Sequence, residues 1–134
     1  MADAVTSQTL VDNNTTAIIL LTNISDGVGE SLVTKVNVAN LAANAQGQAC
    51  TGVSVQKIHT ACHGMEFRLF WDATTDVVFF GSAQNNQFTF DFSNFGGLWN
   101  NAGAGKTGNI LLSTADASAG DTYTIILEMT KYYN

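Results

Sequence analysis

The side chains best equipped for chemistry in this 134-residue chain crowd into one short stretch: His59, Cys62, His63 and Glu66, with Cys50 a little upstream. Imidazole, thiolate and carboxylate are the ligand set of zinc, and Cys beside His is the raw material of an activated thiol. The spacing speaks against both. On an extended strand His59 and His63 share a face but stand about 13 Å apart at ~3.3 Å per residue, too far to meet one metal ion. Cys62 and His63 are neighbours and point to opposite faces, so they form no thiolate–imidazole couple. A turn at Gly64 could bring His63 and Glu66 together, which leaves too few ligands, and the His-x-His spacing of cupin-like metal sites is missing. The expectation is two partly buried imidazoles near a sheet edge, no metal, and buried thiols at Cys50 and Cys62.

Other constellations reduce in the same way. Gly105-Lys106-Thr107 ends like a phosphate-binding loop, but the glycine required five residues before Gly105 is Asn100. The following Gly108-Asn109-Ile110-Leu111-Leu112 reads as a strand, not as the helix whose N-terminus holds phosphate. Asp72 and Asp76 could form a glycosidase-like carboxylate pair, but they flank a short turn, where Asp serves backbone hydrogen bonding. Asp26 with Glu30, or Asp72 with Asp76, lacks the spacing of an EF-hand calcium loop. No Gly-x-Ser-x-Gly elbow occurs. The sequence therefore nominates no catalytic residue, no cofactor and no metal.

Composition narrows the partners. Charged residues make up 12% of the chain, about half the usual ~25%. Polarity comes from Asn, Thr, Ser and Gln, which are cheaper to bury against a partner than Lys or Glu. The net charge is −6, and the five basic residues, Lys35, Lys57, Arg68, Lys106 and Lys131, are scattered. No footprint for a nucleic-acid backbone or an anionic membrane follows. No apolar run approaches the roughly 20 residues needed to span a bilayer. Met1-Ala2-Asp3-Ala4 lacks the basic and apolar regions of a signal peptide, which predicts synthesis and folding in the cytoplasm.

The elements that would carry these residues are strands. Thr15–Ile24 reads as a mostly buried strand, and Ser25–Gly29 as a turn built on Asp-Gly. From Glu30 to Val38, Leu32, Val36 and Val38 fall on one parity with Thr34, the mark of a half-buried strand. Cys50–Cys62 alternates; Met65, Phe67, Leu69 and Trp71 line one face of the next strand; Asp72–Thr75 turns into Asp76–Phe80. Phe88, Phe90 and Phe92 alternate with polar residues, and Ile110–Leu112 and Asp121–Tyr132 supply the last two strands. Residues 40–48 form a loop or one helical turn, and Ser93–Gly108 a long Gly/Asn-rich loop. About eight strands joined by short turns predict one all-β domain over residues 1–134: an antiparallel two-sheet sandwich or jelly roll, with a short arm at residues 1–8. The chain has no proline, a residue that commonly protects sheet edges; such edges could be covered by neighbouring subunits.

Aromatic residues outside regular strands are the candidates for contact. Phe95, Leu98 and Trp99 sit in the long loop, and Tyr132 and Tyr133 at the tail; they either cap one end of the sandwich or form an interface. With Trp71 as a second platform, Trp99 would also suit a carbohydrate-binding module.

The segments VDNNTTAIILLTNISDGVGESLVTKVNV, FWDATTDVVFF, FGGLWNNAGAGKTGNILLST and DTYTIILEMTKYY span nearly the whole chain. With them the chain resembles a family of small virion proteins of tailed bacteriophages, common in marine phage genomes. The resemblance implies a small β-sandwich in the virion that binds the major capsid protein lattice as a decoration (cement) protein and stabilises the shell. A head–tail connector or tail component is the alternative. Homo-oligomers, trimers or dimers, would suit capsid symmetry positions. No catalytic residue carries over.

Overall fold

The computed structural model describes residues 3–85 and 87–133 and contains nine strands. They are β1 (Ala4–Asp12), β2 (Thr16–Asp26), β3 (Val33–Val36), β4 (Gly52–His63), β5 (Glu66–Trp71), β6 (Val77–Gly81), β7 (Gln87–Asp91), β8 (Ile110–Ala115) and β9 (Ala119–Tyr132). One sheet has the order β1-β2-β9-β4-β7 and the other β3-β8-β5-β6. The partners are nested antiparallel pairs: β2 with β9, β3 with β8, β4 with β7, β5 with β6. That is one long antiparallel ribbon rolled up on itself, the jelly-roll wrap, with β1 added outside β2.

Alternation along the strands builds the core. Ala17, Ile19 and Leu21 of β2, Ile58 of β4, and Ile125, Leu127 and Met129 of β9 face Phe67, Leu69 and Trp71 of β5 and Ile110 and Leu112 of β8. All are buried, and those larger than Ala17 contribute roughly 1.5–3 kcal/mol each on leaving water. Cys50 and Cys62 are thiols within the same core.

Three local expectations change. Residues 4–8, expected as an arm, belong to β1 and pair with β2 from Ala4↔Ile24 onward; Met1 and Ala2 lie outside the described residues. Backbone pairing forms this strand, although its sequence AVTSQTLVD offers no buried face. The strand expected over Glu30–Val38 contracts to Val33–Val36. A register shift between Thr34 and Val36 breaks its parity, so Leu32 is exposed while Val36 and Val38 are buried. Trp71 is 1% exposed and stacks on Phe79 inside the sandwich, so it cannot serve as a platform for sugars. Its indole is consumed by the core, the commoner fate of a large apolar side chain on an alternating strand.

Candidate functional site

His59, Cys62, Asp72 and Asp76 are each engaged in structural contacts. His59 lies on β4, whose neighbours are β9 and β7, so it stands one strand in from the edge rather than on it. Its Nε2 meets the Glu128 carboxylate across the ladder, and its Nδ1 lies 3.0 Å from Thr89 Oγ1. His63 is exposed at the end of β4, whereas Cys62 turns inward, 3.3 Å from Ser82 Oγ. His59, Cys62, His63 and Glu66 thus do not converge. Among the described residues, no group of three or more His, Cys, Asp and Glu side chains is placed to hold a metal ion. Asp76 Oδ1 accepts from the Ala73 N–H at 3.1 Å, and Asp72 Oδ2 accepts from Thr107 Oγ1 at 2.8 Å. Both acids fasten loops.

Two buried polar networks escaped sequence reading. In the first, Asp3 Oδ1 accepts from Ser25 Oγ and from the N–H groups of Asp26 and Gly29 at 3.1–3.2 Å, and Oδ2 accepts from Asn23 Nδ2 at 3.1 Å. Asn23 Nδ2 also reaches Glu30 Oε1 at 2.7 Å, where Tyr123 Oη donates at 2.6 Å, and Lys35 pairs with the other Glu30 oxygen. Burial raises the Asp3 pKa, but the donated hydrogen bonds outweigh it and hold the carboxyl below its usual range. Burial, and then the hydrogen bond to Glu30, push the Tyr123 hydroxyl well above its ordinary value. In the second network, Lys131, its side chain fully buried, donates to Asp12 Oδ1 and, at 2.8 Å, to the carbonyls of Asn13 and Ala42. No periodicity reveals these groups, because their partners are up to 119 positions away in sequence.

One side of the sandwich is aromatic and nearly uncharged. Residues 77–105 contain one charged side chain, Asp91. They form both strands at one side of the sandwich, β6 and β7, and most of the long loop. Phe88, Phe95 and Trp99 are 58%, 65% and 57% exposed. They sit on packed rings: Phe90 meets Phe80 edge-on at 5.0 Å and stacks parallel to Phe92 at 6.5 Å, and Phe92 contacts Phe95 at 6.2 Å. The loop is not slack. Leu98 is half-buried and exchanges two backbone hydrogen bonds with Val55, at 3.0 and 2.8 Å, and Gln56 Nε2 ties Gly96 O to Ser54 Oγ. Trp99 lies against Tyr132 with ring centroids 4.8 Å apart, and the Tyr132 hydroxyl is 3.1 Å from Ser54 Oγ. Beside the two rings runs a groove of about 470 Å³ lined by Thr51, Gly52, Asn100, Lys106, Thr107 and Gly108. Of the five candidate contact residues, Phe95 and Trp99 are open to solvent. Leu98, Tyr132 and Tyr133 are half-buried supports. Sequence reading missed Phe88, whose alternation with Thr89 looks like that of a core strand although β7 ends its sheet.

Comparison with known protein families, curated proteins and solved structures finds no match to this chain. Among the described residues no helix is long and apolar enough to cross a membrane.

Proposed function

We propose that this chain is a structural protein of a bacteriophage virion, a decoration protein that binds the assembled major capsid lattice and works by adhesion rather than by catalysis. The observation that carries the reading is the aromatic, almost charge-free side formed by residues 77–105, with Phe88, Phe95 and Trp99 exposed on rigid supports. An exposed aromatic patch held in place by packed neighbours is the anatomy of a binding hot spot, since little side-chain entropy remains to be lost. The jelly-roll wrap is used in viral capsid domains, an analogy of fold alone. The engagement of His59, Asp72, Asp76 and Lys131 in structural contacts fits a role without turnover. A ligand that binds only the assembled lattice stabilises it by mass action.

The test is reconstitution. Purified protein added to undecorated, expanded capsids is expected to bind in hundreds of copies and raise the temperature of shell disruption. Phe95→Asp with Trp99→Asp should abolish binding without unfolding the chain. Binding at the level of a single ring would move the assignment to a head–tail connector or tail component. No binding would end the virion reading.

The groove beside Trp99 favours a second reading, a saccharide-binding jelly roll. An exposed indole offers a stacking face, and the hydroxyl, amide and ammonium groups of Thr51, Thr107, Asn100 and Lys106 surround it. Because Trp71 is buried, quenching of exposed indole fluorescence reports Trp99 alone. A panel of neutral oligosaccharides that leaves it unchanged would remove this reading.

A further inference from the structure

The opposite side of the five-stranded sheet ends in β1, and this edge is unlike the other three. β1 has nine residues, whereas the edge strands β7, β3 and β6 have five, four and five. Short edges resist pairing with other chains, and a long one invites it. Residues 4–11, AVTSQTLV, carry no charge and no proline in a chain of net charge −6. Ala4–Leu10 are all exposed, so neither face of the strand touches the core over this stretch.

A strand with no buried face needs another reason to be ordered, since each fixed residue costs about 1–2 kcal/mol of backbone entropy. Here the ends are pinned. Asp3 takes its four hydrogen bonds from the β2 end and the turn after it. Asp12 is held by Lys131 and by the Ala42 N–H at 2.8 Å. Between these staples β1 lies along β2, with Thr6 Oγ1 bonded to Thr22 Oγ1 on the outer face. The staples also engage the only two carboxylates flanking the strand, which would otherwise set like charge along it. The result is a pre-straightened, neutral row of backbone donors and acceptors facing water.

We infer that the β1 edge pairs with the β1 edge of a second copy of this chain, antiparallel about a two-fold axis. The occupant follows from charge and length. A neutral strand selects a neutral partner, and among the described residues no other edge strand of this protein matches it in length. A two-fold axis perpendicular to the sheet keeps outer faces together, so facing residues must share a face. Before the irregularity at Thr9/Val11 this centres the pair on Ser7, with Thr6 opposite Gln8 and Val5 opposite Thr9 of the second copy. Two five-stranded sheets become one continuous sheet of ten strands. The aromatic sides then lie at its two far ends, free for other contacts. The inference does not rest on the virion reading.

The experiment is light scattering on the purified full chain over micromolar to millimolar concentration, with Ser7→Cys as a geometric probe. Opposed residues on paired strands lie about 5 Å apart at Cβ, and the native thiols of Cys50 and Cys62 are buried, so mild oxidation should cross-link Ser7→Cys into a dimer. Ser7→Lys with Gln8→Lys, both at exposed positions, should weaken the dimer by roughly a hundredfold through like-charge juxtaposition while leaving circular dichroism and the Tm of the dilute, monomeric protein unchanged. Phe88→Lys should leave dimerisation intact. A monomer at every concentration overturns the inference, and so does a dimer that survives the β1 lysines and dissolves with Phe88→Lys.

Discussion

Replacing Lys131 with methionine keeps most of the apolar stem of the side chain and removes three hydrogen bonds. The ammonium is the donor shared by Asp12 Oδ1, Asn13 O and Ala42 O, and it joins the end of β9 to the β1–β2 turn and to the loop after β3. Removing one partner of a buried ion pair costs about 3–5 kcal/mol, because the other is left desolvated. Asp12 retains 19% side-chain exposure and its bond from the Ala42 N–H, which places the loss near the lower end, about 3 kcal/mol. For a chain of this length that corresponds to a fall in Tm of about 10 °C. Urea unfolding followed by far-UV circular dichroism should show a lower midpoint at an unchanged slope, since the surface exposed on unfolding is the same. Adding Asp12→Asn to Lys131→Met should recover about 1 kcal/mol, because the unpaired charge disappears while an acceptor for Ala42 remains. A loss below about 1 kcal/mol for Lys131→Met would refute the reasoning, since the ammonium would then be no better placed inside than in water.

The two tryptophans should separate cleanly in stability measurements: Trp71→Ala is expected to cost about 3–5 kcal/mol through a core cavity, and Trp99→Ala under about 1 kcal/mol, the worth of its tilted ring contact with Tyr132. Asp3 has a lowered pKa in the folded chain, so its contribution is present above the ordinary carboxylate value of about 3.9 and is lost as pH falls through the lower folded value. The protection of the β1 amides, corrected for their intrinsic exchange rates, should fall there, and Asp3→Asn should remove that acid-linked fall. Lys131 has the opposite sign. Burial lowers its pKa, the hydrogen bonds and charges of Asp12 and Tyr133 together more than compensate, and the stability it confers should persist at ordinary pH and fade only as pH rises through the raised value. Gly108 has φ +88° and a Cβ there would stand 2.3 Å from the Thr51 carbonyl oxygen. Gly108→Ala should cost about 2 kcal/mol or more in thermal unfolding, because backbone must move to admit it.

The sequence alone determined most of the strands, though not β1 or the bounds of β3, and the character of the surface. Alternation in Met65–Trp71 and Asp121–Tyr132 announces buried faces, and the structure buries Phe67, Leu69, Trp71, Tyr123, Ile125, Leu127 and Met129 as that pattern requires. A period of two is written in neighbouring residues, so it can be read without knowing the fold. The scarcity of charge over residues 77–105 was legible for the same reason. Tertiary structure decided everything that depends on who lies opposite. It made β1 a strand, because its partner β2 supplies the pairing that its own sequence does not demand. It left Trp99 outside, where the sequence allowed either a cap over the end of the sandwich or an interface. It joined Asp3 to Asn23 and Glu30, and Asp12 to Lys131 across 119 positions. Hydrogen bonds between side chains act over about 3 Å of space and carry no signature along the chain, so only the rolled-up ribbon could bring these groups together.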